Sequence, residues 1–262
     1  MVASQIRANA RESLTGKWGE AAVMTLVYGI VTWVINFVCN LIPVIGPVAV
    51  FVISTPISYG LIVSFMKPRR GEEVGYVDFL SNGFSYFGRV WGVVGNTILK
   101  MILPICLVVI SVVLLTVSMS GVIFGAFGAA ASPYTSSAEG VMAGFGFLGF
   151  ISIILYIAAL IYTIVKGYLY SLTMYILYDN DNMTGKQIVE ESERLMRGHR
   201  LAFFFLGLSF IGWAILAAFT LGIGMLWLMP YMMIAMICFY EDLAGKNNVA
   251  VESNVTENPV EK

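Results

Sequence analysis

From Leu201 to Tyr240 the chain runs forty residues without a charged side chain. No other feature constrains the fold as much. A helix crossing the hydrocarbon core of a bilayer needs about 20 mainly apolar residues, so this run is about twice one crossing. It reads as a hairpin of two spanning helices near 201–219 and 225–240. The turn falls at "TLGIG", Thr220–Gly224, where glycine relieves the backbone constraint. The rest of the chain agrees: 58% of residues are hydrophobic, 12% are charged, and mean hydropathy is +0.83. A soluble domain carries roughly a quarter charged residues. This chain cannot cover its apolar surface with polar side chains, so lipid must do so.

Four more spans follow by the same criterion. They lie near 21–42, 44–66, 101–124 and 147–166, with the first pair joined by the short "PVIGP" turn, and the last could continue amphipathically to Tyr178. The first run is longer than the apolar region of a secretory signal and reads as a retained helix. The expected fold is all-α: a polytopic helical membrane protein with about six transmembrane helices. Residues 1–243 form one membrane domain, and 244–262 form a disordered polar tail.

Charge then sets the expected orientation. With both termini on the cytoplasmic side, every one of the fifteen lysines and arginines falls in an inner segment. The long outer loop "GAAASPYTSSAEGVMAGFG" holds only Glu139. Cytoplasmic segments carry the basic excess in membrane proteins. An odd number of helices would destroy this agreement. The expected location is the bacterial cytoplasmic membrane.

The segments before helices one, three and five share a layout. "SQIRANARESLTGKWGE" places Ile6, Ala10, Leu14 and Trp18 on one helical stripe, with Arg7 and Arg11 off it. "MTGKQIVEESERLMRGHR" opens with Thr184 and Gln187 at capping-box spacing. Glu190–Arg194 and Glu193–Arg197 stand at i,i+4 in the favourable order. Amphipathic interfacial helices are expected near 4–18 and 184–199. "VDFLSNGFSYFGRVWG" is aromatic but poorly periodic. Each segment holds a glycine followed by a basic or titratable residue: Gly16-Lys17, Gly88-Arg89 and Gly198-His199. Pro56 precedes Phe65 by the same interval as Pro230 precedes Phe239. These echoes point to three copies of one unit, an interfacial helix followed by a transmembrane hairpin.

The candidate contacts with anionic lipid or a partner protein cluster at these junctions: Lys17, Trp18, Arg89, Trp91, Arg197, His199 and Arg200. A second set is polar and lies within or beside spans: Asn36, Asn40, Asn96, Lys100 and Lys166. Such groups either line a polar path or bond to neighbouring helices, and lysines near a boundary can snorkel. His199 is the sole histidine. It reads as an interfacial residue, because no second histidine completes a triad and Glu193 lies on another helical face. The stretch around Ser209 is not a GxSxG elbow, and there is no HExxH or nucleotide loop. Cys39, Cys106 and Cys238 lie in apolar runs with no metal spacing. No catalytic residue, metal or cofactor is expected, and no nucleic-acid partner.

"RANARESLTGKWG", "LMRGHRLAFFFLGLSFIGW", "TLGIGMLWLMPY" and "FYEDL" together resemble the bacterial membrane family called domain of unknown function 975. The resemblance runs from about Ile6 to Leu243. It implies a multi-helix membrane protein, and it supplies no activity and no catalytic residue. Two classes of function stay open. One is a non-enzymatic scaffold or accessory subunit engaging anionic lipid or a membrane partner at the cytoplasmic face. The other is a small transporter or channel for a neutral or lipid-like solute.

Overall fold

The computed structural model describes residues 3–43, 45–131 and 136–245. The expected start of the second span at Val44, residues 132–135 of the long loop, and the expected disordered tail beyond 245 lie outside them. Among the described residues every regular element is helical. In chain order they are α1 (Ala3–Leu14), α2 (Trp18–Asn40), α3 (Ile45–Met66), a 3-10 turn (Lys67–Arg70), α4 (Asp78–Ser85) and α5 (Phe87–Ala131). Then come α6 (Ser136–Leu169), α7 (Thr173–Asp179), α8 (Gly185–Met196), α9 (Arg200–Phe219) and α10 (Met225–Leu243). Six helical segments among the described residues are long and apolar enough to cross a membrane, and the chain is a multi-pass membrane protein.

Helices three and four run well past their expected limits. The expectation for 101–124 stopped at Lys100, but α5 has 45 residues and extends about 67 Å, more than twice a hydrocarbon core. One lysine at a helix surface does not end a helix whose backbone bonds are all internal. At the other end, α6 breaks over 170–172 and resumes as the short α7, so the run to Tyr178 is not one helix.

The single membrane domain read over 1–243 divides by its contacts into two compact units. The second unit, Thr97–Leu169, is the α5–α6 hairpin. Its seam is built from small residues, as lipid-immersed helices favour. Gly121 faces the Phe145 ring and Gly149 faces Ser118, and Ser111, Ser118 and Ser152 are buried.

The first unit holds everything else, and its helices obey a shared register. In α1 the buried residues are Ile6, Ala10 and Leu14. In α8, 182 positions later, the same places hold Ile188, Ser192 and Met196, also buried. Both helices end on a left-handed glycine, Gly16 (φ +81) and Gly198 (φ +84). The closing helices match too. Pro56 and Pro230 are buried, as are Phe65 and Phe239, and the chain leaves through Gly71 (φ +79) and Gly245 (φ +72).

The middle copy corrects the junction read from sequence. Gly88-Arg89 does not mark the turn; both residues lie inside α5. The residue in the Lys17 position is Tyr86. Lys17 (φ −118, ψ 8), Tyr86 (φ −102, ψ 15) and His199 (φ −109, ψ 3) share one backbone conformation, each just before a long helix. Phe79 and Gly83, the buried residues of α4, then fall where Ala10 and Leu14 fall in α1.

Packing is cyclic. Each short helix lies against the closing helix of the preceding copy: α4 on α3, α8 on α7, and α1 on α10. The closing helices meet in turn, α3 with α10 and α3 with α7. The helices expected at the interface therefore bury their apolar stripes in protein. Ala10, Phe79, Ile188 and Val189 are fully covered. The α3–α4 crossing is close, with Gly60 against the Phe79 carbonyl and Gly83 against the Pro56 carbonyl.

Candidate functional site

Apolar helices that converge at one end bring their terminal polar residues together, and here those residues come from all three copies. Arg70, just after α3, pairs with Asp179 at the end of α7. Tyr240 of α10 donates its hydroxyl to the other oxygen of the same carboxylate at 2.6 Å. Asp179 is almost wholly buried, with its side chain 1% exposed. A buried carboxylate is tolerable only when its oxygens are bonded and its charge is met. One copy supplies the charge, another the cation and the third the hydroxyl. The Tyr175 and Tyr240 rings stack beside this tie at 5.8 Å, and the Arg70 guanidinium lies over Tyr178 at 4.7 Å.

Further polar clamps surround it. Arg69 binds Glu241 through two nitrogens and donates to Ser13 Oγ of α1. Lys67 donates to Asn82 of α4 at 3.1 Å. Tyr170 donates to Glu193 of α8 at 2.8 Å. Arg89 pairs with Asp181 at 2.6 Å and donates to the Asn180 carbonyl. On α8 the Thr184–Gln187 capping box forms as expected. The expected i,i+4 ion pairs give way to other partners: Arg194 binds Glu191, and Glu193 faces Tyr170. The Arg194 hydrogen bond holds the Glu191 carboxyl below its ordinary value.

Two cavities of this unit bear on function. One, of about 490 Å³, lies between α1 and the α9–α10 hairpin and is walled by Arg7, Arg11, Trp18, Trp213, Trp227 and Tyr231. The other, of about 730 Å³, carries mixed charge, with Lys17, Glu20, Arg69, Glu72 and Glu73 among its lining. Among the described residues no three His, Cys, Asp or Glu side chains group as a metal site.

The residues singled out from sequence do not converge on one centre. Lys17 is exposed and borders the mixed cavity, while its neighbour Trp18 walls the other. Arg89 is held by Asp181, and Trp91 packs edge-on against Phe51 at 5.4 Å. Arg197 is exposed after α8, His199 precedes α9 with a buried Nδ1, and Arg200 opens α9. Asn36, Asn40 and Asn96 donate to carbonyls four residues back on their own helices, at 2.7–2.8 Å. In the second unit Lys100 is half-buried, and Lys166 lies 6.0 Å from the Tyr162 ring.

Sequence reasoning missed the tie itself. Its members sit at ends of apolar runs, where acids opposite Arg69 and Arg70 were the available signal. It also missed the cavity beside α1. The signal there was Arg7 and Arg11, one helical turn apart and off the apolar stripe.

A family model described as "Protein of unknown function (DUF975)" matches residues 1–247, and the chain belongs to that family. No curated protein and no solved structure matches it.

Proposed function

We propose that this member of the DUF975 family is a non-enzymatic membrane scaffold, with its basic end on the cytoplasmic side and in contact with anionic lipid. The observation that carries the reading is the Arg70–Asp179–Tyr240 tie, in which each copy contributes one group. A conduit that alternates access must let its repeats rock past one another. A buried tie shared by all three copies opposes that motion. The intramembrane asparagines add support, because Asn36 and Asn40 spend amide protons on their own helices and face outward. The basic residues Lys17, Arg197 and Arg200 stand at the helix junctions, where anionic headgroups can reach them.

Reconstituting the purified full chain into anionic liposomes tests the reading. Glycerol and urea permeability should match protein-free vesicles. Protein-dependent, saturable flux would move the assignment to the transporter class.

A further inference from the structure

The geometry points to a specific binding site for an anionic phospholipid in the cavity between α1 and the α9–α10 hairpin. This goes beyond the proposed function, because the wall includes Thr220 and Gly224 at the α9–α10 turn, the end of the hairpin away from Arg200.

Charge is the first argument. Arg7 and Arg11 both line the cavity, and among the described residues no carboxylate does. The Nε of Arg7 is buried and has no hydrogen-bond partner among the described residues. Tyr231 donates to the Arg7 backbone carbonyl at 3.4 Å, which fixes α1 on α10, and among the described residues neither guanidinium forms an ion pair. These guanidiniums stand beside a hairpin long and apolar enough to cross a membrane. A cation there calls for a counter-charge, and guanidinium matches a phosphate diester through paired N–H donors.

Shape is the second argument. The remainder of the wall is aromatic and aliphatic apart from Thr220 and Gly224 at the α9–α10 turn. Trp18 and Tyr231 lie with ring centroids 6.1 Å apart at the back of the site. Trp213 and Trp227 are 55% and 47% exposed, so the wall continues onto the outer surface of the hairpin. A headgroup can sit on the arginines while its chains run out along the tryptophans into the bilayer. Tryptophan favours such a boundary, with an apolar body and one N–H donor. The volume, about 490 Å³, is that of a small-molecule site and accommodates the polar part of a lipid with its first carbons.

Three of the five tryptophans line this cavity, which supplies the readout. The full chain in neutral detergent is titrated with phosphatidylglycerol brominated on its chains, and separately with the phosphatidylcholine analogue. Saturable quenching by phosphatidylglycerol at least tenfold tighter than by phosphatidylcholine is expected. In Arg7→Gln/Arg11→Gln that preference should vanish, while Lys186→Gln, at an exposed cation of α8 outside the cavity, keeps it. Trp227→Phe, with both arginines intact, should remove a large share of the quenching amplitude and covers the case of a double variant that does not fold. Equal quenching by the two lipids in the wild type overturns this site. A preference that survives in the double variant, or an amplitude unchanged in Trp227→Phe, overturns the site alone. Displacement of the lipid by millimolar inorganic phosphate overturns its assignment to lipid.

Discussion

Gly60→Ala is the sharpest test of the packing between copies. A Cβ at Gly60 would stand 1.9 Å from the Phe79 carbonyl oxygen and 2.7 Å from the Gly83 nitrogen. A carbon meets a carbonyl oxygen comfortably at about 3.3 Å, so the helices must part by roughly 1.4 Å. The obstacle is backbone on both sides, and no rotamer change relieves it. Overpacking a seated interface costs about 1–3 kcal/mol. Because the contact is backbone to backbone and Phe79 is fully buried, the upper end applies, about 3 kcal/mol. For a chain of this size that lowers the melting temperature by roughly 6–12 °C. The reciprocal change, Gly83→Ala, puts a Cβ 2.3 Å from the Pro56 oxygen and should cost nearly as much. Gly95→Ala is the control, since a Cβ there meets nothing within 4 Å. Removing a helical glycine should stabilise it by up to about 1 kcal/mol. Intrinsic-fluorescence melting in mild detergent reads all three variants. If Gly60→Ala melts within a degree of the wild type, α4 is not seated on α3 and the cyclic packing is wrong.

Other perturbations address other parts of the molecule. Tyr240→Phe removes the hydroxyl on Asp179 and should destabilise by about 2 kcal/mol, as for a hydrogen bond to a charged group. Combined with Arg70→Gln it should fall short of the summed single effects, since both groups serve one carboxylate; strict additivity in a double-mutant melt would show that the tie is not a unit. Gly198→Ala forces a side chain at φ +84 and should cost about 1–2 kcal/mol, whereas His199→Gln should leave the melting temperature nearly unchanged. A severe loss in His199→Gln would show that the side chain, and not only its place in the turn, is required. Glu191 has its folded pKa below the ordinary 4.5, chiefly through the Arg194 hydrogen bond. Its contribution is complete above that ordinary value and is lost as pH falls through the lowered one. Wild type and Glu191→Gln should therefore differ at neutral pH and converge in a melting series taken down to strongly acidic pH.

The spans were legible because a bilayer demands long apolar runs, and Leu201–Tyr240 cannot be anything shorter than a hairpin. The stripe of α1 was legible because helical period leaves a direct trace in residue spacing. The middle junction was not, and the reason is conformational. Lys17, Tyr86 and His199 share a backbone region near φ −110, ψ 10 that many residue types can occupy. Only the left-handed position ahead of it demands glycine, and α4 runs straight into Tyr86 from Ser85, so the middle copy has no such position. Searching for glycine therefore found Gly88, three residues too late. The Asp179 tie was illegible for a different reason. A sequence shows that charges gather at helix ends, but which ends meet is a property of the cyclic packing.

That packing also says where to look for function. In a molecule built from similar copies, positions held in common mostly serve the fold, and a site belongs where one copy departs from the others. Carried through the shared register, Arg7 and Arg11 correspond to Val189 and Glu193 in the third copy. Val189 is buried and Glu193 is engaged by Tyr170. In the middle copy the same places hold Tyr76 and Leu80. Neither of those copies sets two cations one turn apart. Packing α1 onto α10 does not require the pair either, because the stripe that does so is Ile6, Ala10 and Leu14. The two arginines are thus surplus to the architecture, and an external anion is what they are placed to meet.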